Sequence, residues 1–316
     1  MGILVTGGAG FIGSHLVERL LDSGFRVTVF DNFSRGSYSN LKNSLGNPHL
    51  KIVEGDLLNA EQVSKALEDC QIVFHLAANP EVRGWLASPI DHFKQNIEAT
   101  FNLLEAIRKK GALNKFIFTS SSTVYGEPET IPTPENYAPL KPISIYGASK
   151  LASEALISSY ASLCGFKAVV YRLANIIGSR CNHGVIFDFI EKMKKNRKEL
   201  EVLGNGTQNK SYLYIEDCLG GLITGMEKSS ENVEIFNIGS NDQVNVLKIA
   251  QIVKEEMGLL DADIKLRKEF NDGRGWAGDV KIMLLDCSRL KSLGWFPKFN
   301  SEEAVRKTVR NLLNKD

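Results

Sequence analysis

The stretch Thr6-Gly7-Gly8-Ala9-Gly10-Phe11-Ile12-Gly13 lies between two segments with different patterns. The apolar run Gly2–Thr6 before it predicts a buried strand, and Phe11–Asp22 has apolar residues near the spacing of one helix face. Glycine permits the tight turn between them, and a helix N-terminus offers free N–H donors to an anion. Gly7, Gly10 and Gly13 fit one three-glycine spacing of dinucleotide-binding loops, and Gly8, Gly10 and Gly13 fit the general one. The stretch therefore predicts a site for a cofactor pyrophosphate.

Strands and helices alternate along the first half of the chain. The predicted strands are Gly2–Thr6, Arg26–Phe30, Leu50–Glu54, Ile72–His75, Phe116–Thr119 and Lys167–Arg172. The predicted helices are Phe11–Asp22, Gln62–Leu67, Ile90–Lys110 and Tyr146–Leu163. This alternation predicts the α/β class, with a doubly wound parallel sheet of the Rossmann type.

The pattern becomes irregular after about residue 175, although Glu234–Ile238 predicts one more strand and Val246–Met257 one more helix. No internal repeat or low-complexity linker marks a boundary. We predict a cofactor domain of residues 1–174 plus about 211–256. Residues 175–210 plus about 257–316 then form a smaller, interleaved α/β domain that binds the substrate.

The composition is that of a globular protein, with 43% hydrophobic and 24% charged residues among 316. The net charge of +1 gives no indication of nucleic acid or of an anionic membrane as a partner. No signal peptide and no apolar run of about 20 residues is evident. The five cysteines lack zinc-like spacing, and their odd number leaves at least one thiol free. We therefore predict a cytoplasmic protein without a metal site.

Asp31 ends the second predicted strand, 18 residues after Gly13. An acidic side chain there holds the adenosine ribose hydroxyls and repels a 2′-phosphate, which favours NAD over NADP. Arg35 nearby weakens this preference. Asp56 follows the third strand, where it either lines the adenine site or begins the next helix.

A tyrosine and a lysine four residues apart, Tyr146 and Lys150, lie on one face of a predicted helix. Tyrosine ordinarily has a pKa of about 10, and a nearby ammonium and a positive nicotinamide favour the phenolate. Ser121 follows a strand directly, at the edge of the sheet where ligands bind. We predict that these three residues are catalytic. His75 is predicted to be a packed strand residue, and Asn96 either touches the cofactor or bonds neighbouring backbone.

These motifs resemble those of nucleotide-sugar epimerases of the extended short-chain dehydrogenase/reductase family, and most closely the archaeal-type UDP-glucose 4-epimerases. The resemblance continues through Arg172–Asn175, Lys210–Asp217, Arg274–Asp279 and His183–Phe189. It implies NAD as cofactor, a UDP-sugar as substrate and a homodimer formed by helices Ile90–Lys110 and Tyr146–Leu163. The predicted cofactor residues are Gly7, Gly10, Phe11, Ile12, Gly13, Asp31, Asn32, Ser34, Arg35, Gly36, Asp56, Leu57, Leu76, Ala77, Ala78, Asn96, Thr119, Tyr146 and Lys150.

The same resemblance implies substrate contacts. Asn175 would contact the diphosphate, Lys210 and Arg274 would neutralise phosphate or contact the ribose, and Asp279 would help to hold the nucleotide. Lysine at 210 gives a point charge where many bacterial members have arginine, so that contact is expected to be looser. The residues expected to border the uridine are Val185, Ile186, Phe187, Val202 and Leu203; Ser121 and Tyr146 would contact the sugar.

The resemblance predicts 4-epimerisation of UDP-galactose and UDP-glucose through a 4-keto sugar, with Tyr146 as the base for the 4′-hydroxyl. Related dehydratases carry an Asp-Glu pair where this chain has Ser122 and Thr123, which argues against dehydration. N-acetylated or uronic UDP-sugars, a simple NAD dehydrogenase reaction and a non-catalytic nucleotide-binding role stay open as alternatives. The loop Asn79–Ser88, with Arg83 and Trp85, is expected to shape the sugar pocket.

Overall fold

A seven-stranded parallel sheet forms the centre of the protein, in a computed structural model that describes residues 1–83 and 88–314. Its strands are β1 (Gly2–Thr6), β2 (Arg26–Asp31), β3 (Leu50–Glu54), β4 (Ile72–His75), β5 (Lys115–Ser121), β6 (Lys167–Leu173) and β11 (Val233–Ile238). They lie in the order β11-β6-β5-β4-β1-β2-β3, and every pair is parallel. The chain therefore reverses its winding between β1 and β4, where open α/β sheets bind ligands. The predicted fold class is confirmed.

Helices cover both faces of this sheet. They are α1 (Phe11–Asp22), α2 (Ala60–Leu67), α3 (Pro89–His92), α4 (Ala99–Lys110), α5 (Ile145–Cys164), α6 (Val185–Lys195), α7 (Ile215–Lys228), α8 (Val246–Met257), α9 (Ser288–Ser292) and α10 (Ser301–Leu312). Residues Tyr38–Leu41 and Ser122–Tyr125 form 3₁₀ turns. The predicted helix Ile90–Lys110 is interrupted, because Phe93–Glu98 forms a π-helical turn between α3 and α4.

Short strands appear in the second half, where the sequence pattern is irregular. They are β7 (Asn175–Ile177), β8 (Glu199–Leu203), β9 (Asn209–Lys210), β10 (Tyr212–Tyr214), β12 (Val244–Asn245), β13 (Asp263–Arg267) and β14 (Ile282–Met283). β10 pairs with β7, β13 with β8, and both β12 and β14 with β9. β12 and α8, which the domain prediction places with the cofactor part, pair and pack with β9, α6 and α10.

The sheet separates two hydrophobic clusters. Ile3 and Val5 of β1 point into one cluster, and Leu4 between them points into the other, as strand alternation requires. The first cluster continues without a break into α6, α8 and α10 through residues such as Ile190, Val253 and Val305. This shared core packs the second half of the chain against the central sheet.

Candidate active site

One cavity of about 570 Å³ runs along the carboxyl edge of the sheet. Its wall contains the predicted cofactor residues Gly7, Gly10, Phe11, Ile12, Gly13, Asp31, Asn32, Ser34, Arg35, Gly36, Asp56, Leu57, Leu76, Ala77, Ala78, Thr119, Tyr146 and Lys150. It also contains the predicted substrate residues Ser121, Asn175, Val185, Ile186, Phe187, Leu203, Lys210 and Asp279. Residues from segments more than 250 positions apart therefore line a single space of the size that small ligands occupy.

The glycine loop has the geometry of an anion cradle. Gly7 has φ +69°, a left-handed conformation that favours glycine, and a Cβ on Gly13 would lie 2.1 Å from the carbonyl oxygen of Gly7. Gly10 is the N-cap of α1 and provides no side-chain cap to the first N–H groups of the helix. Those donors line the cavity at Phe11 and Ile12 and fit a pyrophosphate.

Asp31 lies beside this loop at the end of β2. Its carboxylate accepts hydrogen bonds from the backbone N–H of Ala9 and of Phe33, each at 2.9 Å. Burial raises the pKa of Asp31, and the two backbone donors oppose that rise. Asp56 accepts a bond from the N–H of Leu58 at 2.9 Å, while the N-cap of α2 is Asn59, so Asp56 is not the cap.

The three predicted catalytic side chains come together where β5 ends beside α5. Ser121 Oγ accepts hydrogen bonds from the hydroxyl and the N–H of Thr123, at 3.0 and 3.2 Å. Lys150 Nζ donates to the carbonyl oxygen of Thr119 at 2.9 Å and lies 5.9 Å from the centre of the Tyr146 ring. Serine, tyrosine and lysine thus face the same part of the cavity.

The pKa of Tyr146 is raised in the structure, whereas the sequence analysis predicts that it is lowered. Burial raises it to about 12, and a hydrogen bond with Ser121 works in the opposite sense. Burial also lowers the pKa of Lys150 to about 7, against the attraction of Glu154. The protein groups alone therefore do not produce the expected lowering of the tyrosine pKa. Burial removes Tyr146 and Lys150 from water and favours the neutral form of each side chain.

A buried ion pair lies behind Ser121 and helix α5. Arg172 on β6 donates to Glu154 on α5 at 2.7 Å, and both side chains are almost fully buried. Ser120, next to Ser121, donates to the same carboxylate at 2.5 Å. The ion pair joins β6 to α5, and the bond from Ser120 connects β5 to the same carboxylate, one residue from Ser121.

Three predicted site residues lie outside the cavity wall. Asn96, in the π-helical turn, accepts from the N–H of Asn79 at 2.7 Å and donates to Ser149 at 2.8 Å, so it bonds its neighbours. Val202 points into the core, because it alternates with Leu203 along β8. Arg274 donates to Glu127 at 2.6 Å and to the carbonyl oxygen of Asp279 at 2.6 Å, so its guanidinium stabilises a loop.

His75 is packed within the sheet. Its ring nitrogens lie 2.8 Å from the hydroxyl of Thr6 and 2.9 Å from that of Thr100. Burial lowers its pKa to about 3, and the charge of Lys150 contributes in the same direction. The ring is therefore neutral at physiological pH.

Several cavity residues were not predicted from the sequence. Examples are Gln208, Trp276 and Asn182, together with Thr308 and Leu312 on α10. Trp85, expected to shape the sugar pocket, lies outside the described residues, whereas Arg83 lines the cavity. Across the described ranges, no group of three or more His, Cys, Asp and Glu side chains is placed to hold a metal ion.

Residues 3–239 match the model of the NAD dependent epimerase/dehydratase family. The chain belongs to this family. It therefore uses NAD, and the cradle at Gly7–Gly13 fits that cofactor. The activity of the family is enzymatic, and the similar proteins include UDP-sugar epimerases, UDP-glucuronic acid decarboxylases and a trifunctional UDP-glucose 4,6-dehydratase.

Solved structures of such epimerases superpose on the whole chain. A UDP-galactose 4-epimerase is 43% identical with a TM-score of 0.88, covering 100% of this chain and 99% of the other. A UDP-N-acetylglucosamine 4-epimerase of Methanobrevibacter ruminantium, in complex with UDP-N-acetylmuramic acid, is 31% identical with a TM-score of 0.87 and the same coverage. A UDP-glucuronic acid 4-epimerase of Bacillus cereus, in complex with UDP-glucuronic acid and NAD, is 30% identical with a TM-score of 0.89, covering 99% of both chains.

Proposed function

We propose that this protein interconverts UDP-galactose and UDP-glucose by epimerisation at C4 of the hexose. The observation that carries the proposal is the shared cavity. Ser121, Tyr146 and Lys150 lie in the same wall as the glycine loop and as Asn175, Lys210 and Asp279 from the second half of the chain. A cofactor and a sugar nucleotide placed in one cavity meet at the catalytic residues.

Each catalytic residue has a role that its position supports. Tyr146 takes the proton of the 4′-hydroxyl, Ser121 donates a hydrogen bond to the same oxygen, and the protonated form of Lys150, which burial disfavours, stabilises the phenolate. Bound NAD supplies a hydride acceptor and donor and a positively charged ring. Because burial raises the pKa of Tyr146 to about 12, the positive charges near it are what make it a base at neutral pH.

The residues beside Ser121 support epimerisation over dehydration. Ser122 and Thr123 line the cavity at the positions where the sequence resemblance places the acidic pair of dehydratases. Thr123 uses its hydroxyl to donate to Ser121. Neither side chain is a carboxylic acid that protonates a leaving hydroxyl or a carboxylate that abstracts a C5 proton.

The cations of the cavity favour a neutral hexose. Within residues 1–83 and 88–314, Arg83 is paired with Glu81 and Asp188, Lys192 with Glu201, and Lys210 with Asp279. Lys150 donates to a backbone carbonyl, and Arg35 lies beside the predicted adenosine site. A uronic acid would have to compete for one of these groups, whereas the hydroxymethyl group of galactose or glucose brings no charge. A UDP-N-acetylhexosamine is also neutral and is the second candidate.

The experiment is UDP-galactose turnover by purified protein without added cofactor, with UDP-glucose followed by chromatography and NADH by absorbance. We expect UDP-glucose without net NADH. If no product forms and NAD is still released on denaturation, the galactose proposal is wrong and UDP-N-acetylglucosamine is the next substrate. Net NADH would instead identify a dehydrogenase.

We propose further that the protein is a homodimer in the cytoplasm. The helices expected to pair expose large apolar side chains, among them Phe93, which is 51% exposed, and Leu163, which is 73% exposed. All five cysteines are free. In the described part of the chain, no helix is both long enough and apolar enough to span a bilayer. Light scattering is expected to give about twice the chain mass of 35.0 kDa, and a mass of one chain would contradict the dimer.

A further inference from the structure

The segment that leads from β7 to α6 contains a residue with a strained backbone. Arg180 has φ +65°, a left-handed conformation that only two other non-glycine residues in the described part of the chain adopt, Phe33 and Asn314. This conformation is sterically costly for a residue with a Cβ, so the surrounding contacts have to hold it in place. Strain that is held in this way is common at functional sites, and the contacts of Arg180 therefore indicate a function for the segment.

Arg180 binds the helix that carries the cofactor loop, α1. Its Nη2 donates to Glu18 at 2.6 Å and its Nη1 donates to the hydroxyl of Ser14 at 3.2 Å, so the planar guanidinium spans one turn of the helix. The side chains of Arg180 and Glu18 are only 18% and 24% exposed. Water therefore screens this ion pair less than it screens a pair on the surface.

Ser179 adds a second contact to the same helix. The ring nitrogen Nε2 of His15 lies 3.0 Å from the carbonyl oxygen of Ser179, which can only accept, so the ring donates to it. On the other side, Gly178 packs against α7, because a Cβ there would lie 2.5 Å from the Cγ2 methyl carbon of Ile215. Residues 178–180 are thus held between α1 and α7.

These contacts form a clamp between the two halves of the site; its members are Ser14, His15, Glu18, Ser179 and Arg180. None of these five described residues lines the cavity wall. However, α1 begins at Phe11 and Ile12, which border the cofactor cradle, and the chain directly after Arg180 lines the wall from Cys181 to Phe189. The clamp therefore joins a segment of the substrate half to the helix that carries the cofactor loop.

We infer that Arg180 is a positioning residue that keeps the bound sugar nucleotide aligned with the cofactor, an inference that rests on the proposed function. Hydride transfer requires the reacting atoms to be close and aligned, and a small displacement lowers the rate strongly. Each ligand keeps its own contacts when the clamp is lost, because the clamp residues lie outside the cavity wall. Loss of the clamp should therefore lower kcat and leave both affinities nearly unchanged.

The test is Arg180→Gln, which removes the charge opposite Glu18 and keeps a polar side chain at the same backbone position. We expect the kcat for UDP-galactose to fall at least about tenfold. NAD content, and the Kd for UDP from calorimetric titration of the NAD-loaded protein, should stay at their wild-type values. Arg19→Gln, which removes an exposed arginine from α1, is the matched control and should leave kcat unchanged.

Glu18→Gln and the double variant show whether Arg180 acts through Glu18. The two single substitutions should lower kcat alike, and the double variant should lose little more than either, because both remove the same ion pair. Activity is measured below the Tm of every variant. Wild-type kcat in Arg180→Gln, additive losses in the double variant, or a loss of UDP affinity as large as the loss of kcat would overturn the inference. Wild-type protein that holds NAD but does not convert UDP-galactose would instead refute the proposed function.

Discussion

Replacement of Tyr146 by phenylalanine is expected to lower the kcat for UDP-galactose by at least about 10²–10⁴-fold, the contribution of a positioned general base. The substitution removes the oxygen that takes the 4′-hydroxyl proton and the partner of Ser121, and it keeps the ring. NAD should remain bound, because the glycine loop and Asp31 lie at a different part of the cavity. The measurement is turnover by chromatography, with NAD quantified after denaturation.

Tyr160→Phe is the matched control for this substitution. Tyr160 is on the same helix, α5, and its hydroxyl donates to Glu105 at 2.6 Å outside the cavity. It should leave kcat unchanged. If Tyr146→Phe kept a substantial part of the wild-type turnover, Tyr146 would not be the base.

The second large effect is expected in stability. Glu154→Gln leaves Arg172 as a buried cation without a carboxylate, and loss of one partner of a buried ion pair costs about 3–5 kcal/mol. For a chain of this size that corresponds to a fall in Tm of roughly 10 °C. Ser120 loses a charged acceptor at the same time. The measurement is thermal unfolding followed by circular dichroism, at equal NAD concentration.

Glu61→Gln provides the comparison for this effect. Glu61 pairs with Lys65 at 2.9 Å on the surface of α2, where both side chains remain in water. Water screens such a pair, so Tm should not change measurably. Equal Tm values for Glu154→Gln and Glu61→Gln would show that the buried pair contributes no more than an exposed one.

The positions of the glycine loop and of the tyrosine–lysine pair in the fold could be predicted because their signals are local. Thr6–Gly13 lies within one strand-to-helix turn, and Tyr146 and Lys150 lie one helical turn apart. A parallel sheet then brings the end of β5 to the same edge as β1 without any information beyond the alternation of strands and helices.

The rest of the fold and of the site depends on contacts between distant segments, which the sequence pattern does not show. β9 and β12 have two residues each, too few for any periodicity, and the π-helical turn at Phe93–Glu98 keeps the composition of an ordinary helix. Arg274 was expected to contact the nucleotide, but it is paired with Glu127 on a distant segment and with Asp272 in its own loop. The rise in the pKa of Tyr146 follows from burial, and the spacing of Tyr146 and Lys150 in the sequence does not reveal how deeply they are buried.

The residues that line the cavity come from two parts of the fold, and this affects how the protein can evolve. The glycine loop, Ser121, Tyr146 and Lys150 belong to the central sheet and its helices, whereas Asn175, Lys210 and the rest of the substrate half come from loops and short strands. Mutations in the second group can exchange one sugar for another while the redox chemistry is inherited unchanged. Substitutions in these loops and short strands can therefore reshape one end of the cavity while the central sheet stays intact.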